Sequence, residues 1–265
     1  MRYGLLADVH GNLDALRAVL GALERHGVDR HLVAGDLVGY GPYPNECVAT
    51  VAELDATSVA GNHDLIALGV LSDRRCIELA RRSLAWTREV LGDDARRFLA
   101  ALPRTAAADG GLLMAHGSIG DPQKYTTSSR QALAQLAEAE ERHGAAVLVL
   151  GHTHRPLAFG RRSGWLRASG VSALPPGDAV LLNPGAVGQS RELRARARYA
   201  VLDLDAREAR FFAIPYDVDA CRAALRRVGL SEHSCHLRPS VPRAAARAVR
   251  RRLDGVHRRA TRSWR

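Results

Sequence analysis

Leu148-Val149-Leu150-Gly151-His152-Thr153-His154-Arg155 is the stretch from which the rest of this chain is best read. A run of buried-type residues, Val147 to Leu150, stops at Gly151, and two histidines two positions apart follow. In an extended or tightly turning segment such residues point to the same side, and neutral imidazole is the commonest metal ligand. An H-x-H at a strand end is thus a candidate grip for a metal ion. Its meaning depends on which other residues converge on it.

Upstream the same pattern of apolar strand, polar turn and helix repeats. Tyr3–Ala7 leads into Asp8-Val9-His10-Gly11-Asn12, where Asn12 can cap an amphipathic helix carrying Leu13, Leu16, Val19, Leu20 and Leu23. His31–Ala34 leads into Gly35-Asp36, followed by a loop and a helix from near Pro44-Asn45. Thr57–Ala60 leads into Gly61-Asn62-His63-Asp64. A mostly helical stretch runs from about Asp73 to Leu102, split near Gly92-Asp93. Leu112–Ala115 then leads into His116-Gly117-Ser118, and a helix near Ser129–His143 precedes the opening stretch.

Downstream, strands are expected at Leu157–Arg161, Trp165–Ala168, Ala179–Leu182, Tyr199–Leu204 and Ala209–Ile214. Turn signals at Gly164, Pro175-Pro176-Gly177 and Asn183-Pro184-Gly185 separate them. Asp217–Val228 reads as a last packed helix. An alternating first half and a hairpin-like second half predict an α/β fold of two face-to-face mixed β-sheets flanked by helices. The expected organisation is one domain over residues 1–230 and a basic, Arg-rich tail over 231–265, partly helical or disordered.

The formal charge of +10 comes largely from that tail: residues 238–265 hold ten arginines against Asp254 alone. The stripe Val241, Ala245, Val249, Leu253, Val256 suits either a basic helix folded back on the domain or one that grips RNA, DNA or an anionic surface. No aromatic interleaving supports the second reading. Nothing approaches the roughly 20 consecutive apolar residues of a membrane span, and Asp8 comes too early for a signal-peptide apolar region, so a cytoplasmic setting is expected. The four cysteines form no C-x-x-C and are read as reduced thiols. Cys221, His233, Cys235 and His236 match no zinc-binding spacing.

Five polar clusters stand at strand carboxyl ends, where open α/β sheets bind ligands: Asp8/His10, Asp36, Asn62/His63/Asp64, His116 and His152/His154. Carboxylates, imidazoles and an amide oxygen form a mixed N/O set suited to Mn, Fe, Zn or Ni. They are too many for one ion, and a pair of ions about 3.5–4 Å apart, as used for in-line displacement at phosphorus, fits the count.

In this order, D-x-H, G-D, G-N-H-D, H, G-H-x-H resembles the calcineurin-like metallophosphoesterase superfamily, in its compact bacterial and archaeal phosphodiesterase branch. Asp36-Leu37-Val38-Gly39-Tyr40-Gly41-Pro42, His116-Gly117-Ser118 with Asp121-Pro122, and Asn183-Pro184-Gly185-Ala186-Val187-Gly188 extend the match. The resemblance implies a four-layer αββα sandwich with two divalent transition-metal ions, manganese foremost. Asp8, His10 and His154 would hold one ion, Asn62, His116 and His152 the other, and Asp36 would bridge them, one oxygen to each. A bridging water would be the nucleophile. His63 would protonate the leaving oxygen, oriented by Asp64.

Arg155 is a candidate phosphate partner. The Gly39–Tyr43 loop, with Tyr40, either lines the substrate entrance or is a rigid turn. Lys124 and Tyr125 contact a phosphate or cover a loop, and Asn183 is read as structural. The function implied is hydrolysis of a small phosphate ester, foremost phosphodiesters of small nucleotides. The alternatives are phosphomonoester, phosphoprotein or dinucleoside-polyphosphate hydrolysis, a nuclease using the tail, and a non-catalytic scaffold on the same fold.

Overall fold

Strands that are apolar at every position must be covered on both faces, and this requirement organises the molecule. The computed structural model describes residues 1–54 and 56–239. In chain order the elements are Arg2–Leu6 (β1), Leu13–Arg25 (α1), Arg30–Val33 (β2), Pro44–Ala52 (α2), Ala56–Ser58 (β3), Asn62–Ala67 (α3), Glu78–Val90 (α4), Asp93–Ala101 (α5), Thr105–Ala108 (β4) and Leu112–Ala115 (β5). There follow Ser129–His143 (α6), Val147–Val149 (β6), Pro156–Gly160 (β7), Gly164–Trp165 (β8), Gly170–Ala173 (β9), Val180–Pro184 (β10), Ala197–Asp203 (β11), Glu208–Ile214 (β12) and Val218–Arg227 (α7).

Two six-stranded mixed sheets form, ordered β3-β2-β1-β11-β12-β9 and β4-β5-β6-β10-β7-β8. In the first, β1, β2 and β3 are parallel and the remaining pairings antiparallel. In the second, β5, β6 and β10 are parallel, flanked by antiparallel neighbours. Each sheet therefore draws on both halves of the sequence, and the expected division into an alternating half and a hairpin half does not map onto separate sheets.

Alternation along the strands builds three apolar layers. Leu5, Leu32, Met114, Val147, Val149 and Leu182 face inward and fill the space between the sheets. Leu6 and Val33 turn outward against Leu16, Val19, Val48, Leu84 and Leu99 of the helices on the first sheet. Leu113, Leu148 and Leu181 turn outward against Ala132 and Leu136 of α6. This is the αββα arrangement that the sequence predicts.

Registers decide where the site sits. Leu6 pairs with Val33 and Val33 with Ser58, while Met114 and Leu182 both pair with Val149. The parallel strands of each sheet thus stop level with one another, and the turns beyond them emerge side by side.

Several expectations are corrected. Asn62-His63-Asp64 opens a helix instead of forming a turn, and Trp165–Ala168 shrinks to the two-residue β8. Strands β4 and β9 were not expected; alanine-rich Thr105–Ala108 and the short Gly170–Ala173 become strands only through pairing with β5 and β12. Past α7, Cys235 buries against Cys221, and Leu237 N–H bonds Ser190 O at 2.9 Å. The apolar stripe from Val241 and the arginines beyond Arg238 lie outside the described residues. Among the described residues no helix is long and apolar enough to cross a membrane.

Candidate metal centre

The five clusters meet. Oδ1 of Asp8 lies 4.0 Å from Nε2 of His10, 3.9 Å from that of His116 and 3.6 Å from that of His154. Oδ2 of Asp36 lies 3.7 Å from His10 Nε2 and 3.2 Å from His116 Nε2. Three sets of donors, each within 4.8 Å of one another, could hold a cation: Asp8/His10/His154, Asp36/His116/His152 and His10/Asp36/His63. His152 and His154 fall into different sets, and Asp36 belongs to two. All these residues, with Asn62, are buried.

Backbone contacts aim the rings. Nδ1 of His10 is 3.1 Å from Val38 O, Nδ1 of His116 is 2.7 Å from Ala34 O, and Nδ1 of His154 is 2.9 Å from Gln189 O. A carbonyl only accepts, so each Nδ1 carries a proton; Nε2 of His10 and of His154 presents a lone pair to the centre, and that of His116 does so once its own proton is lost. Nε2 of His10 and of His154 stand 3.2 Å apart, two acceptors facing each other.

The turns are bent sharply to achieve this. Among the described residues seven non-glycines have positive φ, and six are at this site: Asp8 (54°), His10 (51°), Asp36 (57°), Tyr40 (61°), His152 (64°) and His154 (56°). Each such residue costs of order 1–3 kcal/mol, strain that clusters where function over-determines the backbone.

A fit to metal is tested by the buried polar atoms without hydrogen-bond partners. Asp8 Oδ2, Asp36 Oδ2, Asn62 Oδ1, His116 Nε2 and His152 Nε2 are all in this state. One such atom costs about 1–3 kcal/mol; all five are of ligand type, and those of Asp36, His116 and His152 belong to one donor set within 4.8 Å, as a cation site requires. Asp36 Oδ2 and His116 Nε2 lie 3.2 Å apart, and their interaction is foremost a charge contact.

Electrostatics divide the imidazoles. Burial pushes His63 down to about 4 and His152 to about 3, and holds His10 and His154 well below the ordinary range. His116 is the exception: burial pulls it down, but the Asp36 carboxylate beside it wins and raises it to about 9. Asp36 is held low against burial, first by His116. Burial lifts Asp8 to about 7.

The geometry corrects two expectations. Asp64 does not orient His63: its two oxygens accept from the backbone amides of Asp36 (2.9 Å), Leu37 (2.8 Å), Val38 (3.1 Å) and Gly61 (2.9 Å). Burial and the charge of Asp36 push this carboxyl up to about 6, but only the ionised form accepts from all four amides, and at neutral pH it is ionised. Nδ1 of His63 has no partner; packing positions the ring, 4.7 Å from His10 and 4.8 Å from Tyr40. A Cβ on Gly39, whose φ is +83°, would come within 2.4 Å of that Nδ1, so the Gly39–Tyr40 turn forms the wall of the His63 pocket.

Asp36, second, does not offer one oxygen to each half. Oδ1 takes the His63 amide at 2.7 Å, and Oδ2 alone faces both His10 and His116. The guanidinium of Arg191, not anticipated in the sequence, also reaches the centre: its Nη2 lies 3.2 Å from His154 Nε2 while its Nε donates to Gln189 Oε1 at 3.0 Å. Arg155 is half-buried and bonds through its backbone N–H to Thr153 Oγ1. The only sequence signal for Arg191 was its place just after the Asn183–Gly188 motif. Asn183 is a brace, its amide donating to Gly151 O and Thr153 Oγ1 and so holding the H-x-H turn. Tyr40 is buried, and burial raises its hydroxyl to about 12.

Among the described residues, Cys221, Cys235 and their neighbouring histidines form no candidate metal group.

Residues 1–207 match the family model described as the calcineurin-like phosphoesterase superfamily domain. A metallophosphoesterase from Sphaerobacter thermophilus, known from a crystal structure, is 34% identical with a TM-score of 0.76, over 89% of this chain and 97% of that one. A hypothetical protein from Pyrococcus horikoshii shares the fold at 19% identity and a TM-score of 0.72, over 88% and 96%. An uncharacterized protein from Methanocaldococcus jannaschii is 29% identical over 217 residues, 81% of this chain and 87% of its own length.

Proposed function

This chain belongs to the calcineurin-like phosphoesterase superfamily, and on that premise we propose that it is a metal-dependent hydrolase of phosphodiesters of small nucleotides, working at a binuclear centre. The observation that carries the proposal is the pair of buried donor sets Asp8/His10/His154 and Asp36/His116/His152, each with its ligand atoms within 4.8 Å of one another. Asp8, His10 and His154 would hold one cation, and Asn62, His116 and His152 the other. Asp36, whose Oδ2 faces both His10 and His116, would serve both cations. Two divalent transition-metal ions, manganese foremost, supply Lewis-acid stabilisation at phosphorus and a water of lowered pKa.

The protein's own groups do the rest. His63 is neutral in its buried pocket; the negative charge of an arriving phosphate would favour its protonation from solvent, and the imidazolium so formed would give that proton to the leaving oxygen. The lone pair of His154 Nε2 serves Arg191 or a cation, not both, so a bound cation would leave the guanidinium of Arg191 to pair with a phosphate oxygen at the same edge of the site. Tyr40, whose hydroxyl keeps its proton at neutral pH, offers a neutral donor beside His63. Asp64 acts at one remove, by tying the Asp36–Val38 turn to Gly61.

The test is a chromogenic phosphodiester and a monoester, assayed after chelation and after return of Mn, Fe, Zn, Ni or Mg. Metal-restored turnover of the diester above the monoester is the expected result. A monoester preference would move the assignment to phosphomonoesterase, and no metal-dependent turnover of any ester would leave the non-catalytic scaffold.

A further inference from the structure

Tyr125 is anomalous among the aromatic residues of the centre. Its ring lies nearly parallel over that of His152, centroids 4.1 Å apart and planes 20° from each other, yet it is 45% exposed. With one face on His152, what it shows to solvent is its edge and opposite face. His152 shares a donor set with Asp36 and His116, so this open face borders the place where a phosphoryl group would be held.

The segment bearing Tyr125 is fixed in place. Ser118 N–H and Oγ both donate to Asp121 O, at 3.1 and 2.9 Å, and Asp121 N–H donates back to Ser118 Oγ at 3.0 Å. Gln123 N–H bonds Asp121 Oδ1, Thr126 Oγ1 bonds Gly117 O, and Gln135 Oε1 from α6 accepts from Ile119 N–H. A Cβ on Gly117 would collide with Pro122 O at 2.4 Å, so the turn closes tightly on itself. An exposed ring on such a turn loses little freedom on stacking with a ligand, which is what a preorganised platform requires.

Resting on the phosphoesterase reading above, we propose that Tyr125 is a stacking platform for an aromatic group, in the first place a nucleobase, attached to the phosphate that the centre holds. The ring is then sandwiched between His152 and the ligand's aromatic system. Stacking of this kind tolerates any base, because every base has a π-face, so the platform selects aromatic esters over alkyl or sugar esters without distinguishing among bases. The competing role is a purely positioning one, in which Tyr125 only steadies the His152 ring.

The pair adenosine 5′-monophosphate and ribose 5-phosphate isolates the base, since the two differ only in it. Binding of each, and of inorganic phosphate, is measured by calorimetry on the manganese-loaded protein, with metal content determined alongside. Wild type is expected to bind the adenosine compound about ten-fold more tightly than the ribose compound. Tyr125→Ala should collapse that ratio to about one while metal content and phosphate affinity stay near wild type, and Tyr125→Phe should restore it. A wild-type ratio near one, or a ratio unchanged in Tyr125→Ala, overturns the platform. So does a parallel loss of all three affinities together with metal, which is the signature of positioning. Because the ratio is read by binding, an intact ratio without metal-dependent ester turnover would refute the phosphoesterase reading and leave the platform standing.

Discussion

Asp64→Asn separates two accounts of one residue. Asp64 accepts four backbone amides, two on each oxygen, from Asp36, Leu37, Val38 and Gly61. The amide side chain keeps one oxygen and replaces the other with an NH2 group facing two N–H donors. Two charge-assisted hydrogen bonds are lost, each worth about 1.5–3 kcal/mol, for a total of roughly 3–6 kcal/mol. At about 2–4 °C per kcal/mol for a domain of this size, the Tm falls by about 6–24 °C. The damage spreads to the centre, because Val38 O orients His10 and the Asp36 turn is anchored by the same carboxylate. Metal content should drop together with kcat. Calorimetric unfolding and metal analysis of Asp64→Asn beside His63→Ala make the comparison. If Asp64→Asn keeps a Tm within about 2 °C of wild type, against the per-kcal scale above, and loses only kcat in the manner of His63→Ala, then Asp64 orients His63 and the bracing account is wrong.

Four further outcomes are expected. His63→Ala should lower kcat by about 10²–10⁴-fold, the usual worth of general acid catalysis, with metal content near wild type; loss of metal would instead make His63 a ligand, as its proximity to His10 and Asp36 allows. Arg191→Ala should weaken inhibition by inorganic phosphate and raise KM with little change in Tm; unchanged phosphate inhibition and KM would remove Arg191 from the phosphate site. Saturating metal at 100 times Kd should stabilise the chelated protein by about 2.7 kcal/mol, and an unchanged Tm would exclude metal from the centre.

The fourth outcome concerns the Tm of the chelated protein, which should fall between pH 6.5 and 9. His116 has its folded pKa raised to about 9, above its unfolded value. Its contribution is thus full below about 6.5 and lost as pH rises through about 9. Asp8, raised to about 7, loses its contribution lower in the range, and His10, His63, His152 and His154 titrate below the window. A flat profile across the window, or one that His116→Gln leaves unchanged, would remove the Asp36–His116 charge pair as its cause.

The ligand types were legible in the chain because strand carboxyl ends are marked by abrupt changes from apolar to polar residues. Asp8, His10, Asp36, Asn62, His116, His152 and His154 each stand at such a change, and the strands before them are apolar at almost every position. The two-sheet architecture followed from the same runs, since a strand without a polar face needs cover on both sides. Strands β4 and β9 were hidden because their alanine- and glycine-rich segments have no pattern of their own; a partner strand supplies the reason for their conformation.

What only the tertiary structure decided concerns direction and partner. Asp64 sits next to His63 in sequence, which suggested that one serves the other, but the first turn of α3 points the carboxylate back to the Asp36–Val38 amides. Arg191 lies 37 residues beyond His154 in sequence, yet its guanidinium reaches that ring. Sequence specified which groups had to be present, because burial and ligand chemistry depend on residue type. Folding specified which atom faces which, because hydrogen-bond geometry and the strained turns depend on where separate strand ends meet.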